Sequence, residues 1–366
     1  MQEEGKFSQC NRQMNYCHYF SEDYITARRR FLDAAAAAQA SIHTLPLTLR
    51  ALDNQQLSID IAWTGSSDPT RVLIHSSGLH GVEGFTGSAI QLALLEHRPS
   101  VPSDGAILVV HALNPYGMAR LRRVNENNVD LNRNFIMSEK QRTGSSALYE
   151  KLDPFLNPRS PPSADYFYVK ALYYALRYGV RHLRQAIAMG QYEYPMGLFF
   201  GGNRLEMGPF LYHSWLADKL TSMRRGFAID VHTGLGKSGQ ESLFLRSDTV
   251  RTDVLADRLG RELISDATDS GVGYYIRGGY ADCFDVLPDG AEMHVLTQEF
   301  GTYPSVLVLH ALREENRWHH YGDGTTVHPA KQRLKEVFAP VSHDWRETVV
   351  GRGVSLALDA SKYIFE

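Results

Sequence analysis

The 366-residue sequence has little of what marks several whole classes of protein. It holds three cysteines, Cys10, Cys17 and Cys283. Three is an odd number and too few for a disulfide framework, so a reducing compartment is expected. Cys10 and Cys17, with His18 beside them, have no fourth ligand at zinc-knuckle spacing and read as ordinary reduced thiols. No apolar run approaches the roughly 20 residues that span a bilayer. The polar start Met1-Gln-Glu-Glu-Gly-Lys6 is not followed by the apolar segment of a signal peptide. A cytoplasmic protein with no membrane partner is expected. Charge of one sign is also missing: 38 Lys and Arg stand against 41 Asp and Glu, a net charge of −3. That balance argues against a nucleic-acid partner, which usually needs a basic field. The chain has no Gly-x-Ser-x-Gly elbow and no Gly-x-x-x-x-Gly-Lys-Ser/Thr loop, which leaves serine hydrolysis and nucleotide hydrolysis unsupported.

What is present is the rhythm of an α/β fold. Residues 1–20 read as an irregular lead-in, and 21–366 as one domain. A helix is predicted from Ser21, as N-cap, to about Ser41, since Glu22 and Asp23 suit a first turn and Ala34 to Ala38 are strong helix formers. Four short apolar runs follow: Arg71–Ser76, Ala106–His111, Phe227–Val231 and Met293–Thr297. Continuous apolar runs of this length suit strands buried on both faces. Helical patterns lie near 166–188, 209–224, 250–265 and 304–317. The Pro-rich stretch 153–163 reads as a linker or long surface loop, and the tyrosine-rich helix 166–178 as a packing face. The expected fold class is α/β: a twisted, mixed, largely parallel sheet flanked by helices.

In such sheets, ligands bind beyond the carboxyl ends of the strands. His80-Gly-Val-Glu83 follows the first run, His232-Thr-Gly234 ends the third, and Gln298-Glu299 the fourth. His80 and Glu83, three residues apart, can reach one ion from a turn or helix start. With His232 they complete a His/Glu/His set, the form of a catalytic zinc site with an open position. Asp230, two residues before His232, is expected to orient a ligand, with a second metal as the alternative. Glu299 is the natural base on the same rim. Arg122, Arg123, Asn132 and Arg133 crowd a segment with apolar Val129, Leu131 and Phe135 between them. Such density of guanidinium and amide groups suits a loop that binds carboxylate or stabilises an oxyanion.

These pieces, in this order, resemble the zinc metallocarboxypeptidases: His80/Glu83, then Val129-Asp-Leu-Asn-Arg-Asn-Phe135, then His232 and Glu299. The resemblance spans about residues 70–302 and points to a poorly characterised, mainly bacterial branch. It implies a carboxypeptidase-like fold and one zinc per chain, held by His80, Glu83 and His232. It makes Glu299 general base and then acid. Arg122 matches best the arginine that polarises the scissile carbonyl, with Arg123 the alternative. Asn132 and Arg133 match the pair that holds a terminal carboxylate, and Tyr274, Tyr275 and Tyr280 are candidates for a mobile tyrosine. The implied activity is a zinc metallopeptidase that cleaves an amide next to a free carboxylate in a small peptide-like substrate. Val82 departs from the arginine of the secreted digestive enzymes. His-Gly-x-Glu is more similar to murein-peptide amidases and to aspartoacylase- or succinylglutamate-desuccinylase-like deacylases. The alternative activity is therefore that of an N-acyl-amino-acid deacylase, and the remaining alternative is a non-catalytic binding module on the same scaffold.

Overall fold

In the computed structural model, which describes residues 16–51, 54–246, 251–264, 276–323, 325 and 327–366, seven strands form one sheet. They are β1 (Ser41–Arg50), β2 (Gln56–Gly65), β3 (Arg71–Ser76), β4 (Gly105–His111), β5 (Arg225–Thr233), β6 (Glu241–Arg246) and β7 (Glu292–Phe300). Their spatial order is β1-β2-β4-β3-β5-β7-β6. The four central strands β4, β3, β5 and β7 run parallel, and antiparallel strands close both edges. The four predicted apolar runs are these four central strands.

Side chains alternate between two cores, as the pleat requires. Val72 and Ile74 of β3, Leu108 and Val110 of β4 and Ala228 of β5 face one core with Trp215 and Leu216 of helix Met207–Lys219. Leu73, Ile107, Val109, Phe227 and Ile229 face the other, against Leu356, Ala357, Ala360 and Ile364 of the long helix His343–Phe365. No helix among the described residues is long and apolar enough to cross a membrane.

Several expectations change in detail. The first helix runs Tyr24–Ala37 and is capped by Asp23, whose carboxylate accepts from Thr26 N at 2.7 Å, not by Ser21. The lead-in contains a short helical turn, Tyr16–Tyr19; Cys10 lies outside the described residues. The start of the expected 153–163 linker closes a helix, Ala147–Leu156. The pattern at 166–188 is two helices, Phe167–Tyr178 and Val180–Ala188, broken at Gly179 with φ +78°. The first packs by a narrow face only: Phe167 is buried, Ala171 and Tyr174 lie against the same apolar cluster, and Leu176 is 81% exposed.

Two histidines of the central strands sit in the core. His75 and His111 are fully inaccessible, and burial lowers each pKa from 6.5 to about 4. Because the folded value lies below the unfolded one, the unfolded chain binds more protons between these pH values. Stability is therefore expected to fall as pH drops from 6.5 towards 4. The measurement is urea unfolding at pH 6.5 and 4.5. His75→Gln and His111→Gln should each shrink the difference by about 2 kcal/mol, and an unchanged difference would refute the assignment.

Candidate metal centre and active site

The strand ends bring the predicted metal ligands together. β3 stops at Ser76, and the chain turns through Gly78, with φ +68°, to a helical turn at Gly81–Glu83 and the helix Gly84–His97. Gly81 is required here by packing. A Cβ on it would stand 2.1 Å from the Gly117 carbonyl carbon in helix Pro115–Ala119. His80 and Glu83 thus project from the start of a helix, next to the end of β5. There Asp230 and His232 lie two residues apart on one face, and the β5–β7 register pairs His232 with Glu299.

The donor atoms converge. His232 Nδ1 lies 3.2 Å from His80 Nδ1 and 3.1 Å from Glu83 Oε2, and His80 Nδ1 lies 2.9 Å from Glu83 Oε1. One donor atom from each of the three residues lies within 4.8 Å of the other two, and all three residues are buried. These spacings fit one ion bound at about 2 Å by each donor. The outward nitrogens have carboxylate partners: His80 Nε2 lies 3.0 Å from Asp130 Oδ1, and His232 Nε2 lies 2.6 Å from Asp230 Oδ2. A carboxylate there favours a proton on Nε2 and leaves the Nδ1 lone pair for a cation. The other Asp230 oxygen accepts from Ser76 Oγ at 2.7 Å, so this side chain orients His232 and does not face the donor cluster.

The cluster is strongly polarised. Burial alone would lower the His232 pKa, but Asp230 and Glu83 outweigh it and hold it well above the ordinary histidine value. Burial would raise Glu83, yet His80, His232 and Arg123 hold it far below the usual carboxylate range. Asp130 is likewise held low, against its burial, by Arg133, Arg123 and His80. Glu299 goes the other way: burial first, then the charge of Glu83, raises it from 4.5 to about 8. Its Oε1 accepts from Leu235 N at 2.9 Å.

The structure brings Arg123, not Arg122, to this cluster. The carbonyls of Arg122 and Arg123 accept from Val82 N and Gly81 N, at 3.0 and 3.1 Å, so this segment lies against the ligand-bearing turn and its two side chains diverge. Arg123 Nη1 donates to Glu83 Oε1 at 2.8 Å, and Nη2 lies 2.8 Å from His80 Nε2. Arg122 is fully buried and donates to Glu315 at 3.0 Å and Asn128 at 2.9 Å. Arg133, also fully buried, gives Nε and Nη2 to the Ala188 carbonyl and Nη1 to that of Asn132. Asn132 lines the cavity beside the cluster, and its side-chain oxygen accepts from Tyr280 N at 3.0 Å. Tyr280 is buried, its hydroxyl 3.0 Å from that of Tyr212; Tyr274 and Tyr275 lie outside the described residues. Sequence reasoning gave Asp130 no role, although it sits inside the Val129–Phe135 segment that carried the resemblance.

A cavity of about 1600 Å³ opens from this cluster and is lined by His80, Glu83, Arg123, Asn132, His232 and Glu299, among others.

A family model described as protein of unknown function (DUF2817) matches residues 20–352, and the chain belongs to that family. No curated protein matches it. Solved structures to which the chain is similar include the murein-tripeptide amidase of Escherichia coli O157. That likeness has 17% identity and a TM-score of 0.38, over 76% of this chain and 92% of that one. Thrombin activatable fibrinolysis inhibitor shows 9% identity and a TM-score of 0.45, over 93% of this chain and 75% of that one. An aspartoacylase family protein from Mesorhizobium loti shows 13% identity and a TM-score of 0.35, over 78% of this chain and 68% of that one.

The two orienting carboxylates lead to a prediction. Asp130→Asn and Asp230→Asn are each expected to weaken zinc affinity by 10- to 100-fold, measured by competition with a fluorescent chelator. Affinities within threefold of the parent protein would count against an orienting role.

Proposed function

We propose that this protein is a zinc-dependent amide hydrolase, and that of the two activities weighed from the sequence it is the N-acyl-amino-acid deacylase. The observation that carries the hydrolase assignment is the convergence of His80 Nδ1, Glu83 and His232 Nδ1, each histidine backed by its own aspartate, with Glu299 on the neighbouring strand. The observation that favours the deacylase is the cavity wall beside Arg123, where Phe199, Phe338, Leu152 and Phe155 offer an acyl group apolar contact and a peptide backbone no hydrogen-bond partner.

Zinc held by His80, Glu83 and His232 would polarise the scissile carbonyl and lower the pKa of water. Glu299 takes a proton from the attacking water and returns it to the leaving amine; a carboxyl with a pKa lifted towards neutrality can do both. Arg123 holds the developing oxyanion. Its guanidinium can only donate and Asp130 can only accept, so they compete for His80 Nε2. With Nδ1 of His80 among the donors that would hold the metal, its Nε2–H would donate to Asp130, and Arg123 Nη2 would be left for a substrate oxygen.

The test is elemental analysis of purified wild type, His80→Ala and His232→Ala, followed by hydrolysis assays on N-acyl amino acids and on peptides with a free carboxyl terminus. One zinc per wild-type chain, lost from both variants, with N-acyl amino acids hydrolysed, is the expected result. A wild-type protein that refuses added zinc would sink the assignment, and turnover of the peptides alone would return it to a carboxypeptidase.

A further inference from the structure

The cavity is larger than a short N-acyl group needs. At about 1600 Å³ it exceeds the roughly 300–1,000 Å³ of most small-molecule sites, and its lining differs in chemistry from one flank to the other. One flank is mixed, with Arg277, Asp282, Asp285 and Thr297 among apolar Phe244, Ile276 and Val295. The other begins at Phe199 and Phe338, whose rings stand 5.4 and 5.9 Å from the Arg123 guanidinium. It continues through Leu152, Phe155, Ile187 and Leu312, and all six belong to one contiguous apolar cluster. Leu183, packed against that cluster, carries the lining on with Ala175 and Leu172 of helix Phe167–Tyr178, and Leu172 is 60% exposed. An apolar wall therefore extends from beside the metal ligands to the surface.

The polarity of this wall identifies what it takes. Every buried side chain that its helices give to the cavity is apolar; their polar contributions, Arg184, Ser305, Tyr168 and Tyr174, come from half-exposed or exposed residues. A peptide laid along the inner wall would leave its N–H and C=O groups facing methyl and phenyl groups with no partners, which is strongly penalised. An aliphatic chain has no such groups and gains from each methylene removed from water.

We infer that this flank seats a long acyl chain, so that the substrate is a fatty N-acyl amino acid; the inference rests on the amide-hydrolase reading above. In the reaction, water adds to the acyl carbon and the C–N bond breaks. The products are a fatty carboxylate and an amino acid whose nitrogen receives the proton carried by Glu299.

The experiment measures calorimetric binding of octanoate and dodecanoate, each below its micelle concentration, to the zinc-loaded protein. It also measures hydrolysis of N-acetyl and N-dodecanoyl amino acids. Dodecanoate is expected to bind at least tenfold more tightly than octanoate, since one buried methylene is worth up to about fourfold. Leu183→Trp and Ala175→Trp, both at half-exposed positions and checked by thermal melting, are expected to remove that gain by filling the flank. Equal affinities for the two carboxylates, or a gain left intact in both variants, would overturn the inference. A chain-length gain in binding without hydrolysis of any amide keeps the acyl site and sinks the hydrolase reading. Hydrolysis of both amides with the same kcat/KM, and no gain in binding, does the reverse.

Discussion

Glu299→Gln is expected to lower kcat by about a thousandfold while the protein keeps one zinc per chain, because general-base catalysis contributes roughly 10²–10⁴ and Glu299 is not among the converging donors. Glutamine fills the same space and can still accept from Leu235 N, the contact that positions the carboxylate, so folding is expected to survive. The same group sets a pH dependence. Glu299 must be ionised to take a proton, and burial together with Glu83 lifts its pKa from 4.5 to about 8. A divalent cation beside Glu83 offsets the second of these causes. The acidic limb of kcat/KM is therefore expected between pH 4.5 and 8 in the loaded enzyme, rising with pH as the base ionises. Single-turnover assays across this range, with elemental analysis of the variant, test both statements. A glutamine variant within tenfold of wild type, or an acidic limb that survives in it, would remove Glu299 from the chemistry.

The central sheet is legible in the sequence because a strand buried on both faces leaves little choice of residue. Arg71–Ser76 and the three later runs are almost wholly apolar, and each ends abruptly in polar residues. Those ends are the rim, which is why the positions of His80, Glu83, His232 and Glu299 along the chain suffice to gather them into one site. The edges are harder to see: β1 leaves most of its residues at least half-exposed, so its pattern resembles a loop. The helix Phe167–Tyr178 is legible only in part. Tyrosine and leucine at helical spacing ordinarily signal a buried face; here Ala171 and Tyr174 pack on the cluster around Phe155, while Tyr173 and Leu176 face solvent. The aspartates behind the histidines are only partly legible. Asp230 can be paired with His232 by the two-residue period of a strand, whereas Asp130 meets His80 across a sequence gap that no periodicity bridges.

Arg122 and Arg123 are the sharpest case, since adjacent arginines cannot be told apart by spacing and only the path of the backbone separates them. Pairing with the His80 turn sends successive side chains to opposite sides, and the two arginines are expected to fail in different ways. Arg122 sits in a buried network: its Nε meets Glu315, which also accepts from Lys331 Nζ at 3.0 Å, and its Nη2 meets Asn128. Burial would raise Glu315, but Arg122 and Lys331 hold it below the usual carboxylate range. Arg122→Ala is therefore expected to cost about 3–5 kcal/mol of folding stability, as for other broken buried ion pairs, and to leave kcat of the folded fraction close to wild type. Arg123→Ala removes the donor beside Glu83 and His80 that is proposed to hold the oxyanion, and is expected to cost roughly 10²–10³ in kcat. Arg123→Lys should recover part of that loss through its charge, without the planar fork. Urea unfolding and kcat measured on the same preparations separate the two outcomes. If Arg122→Ala lost turnover while remaining folded and Arg123→Ala kept it, the oxyanion role would belong to Arg122, as the family pattern alone indicates.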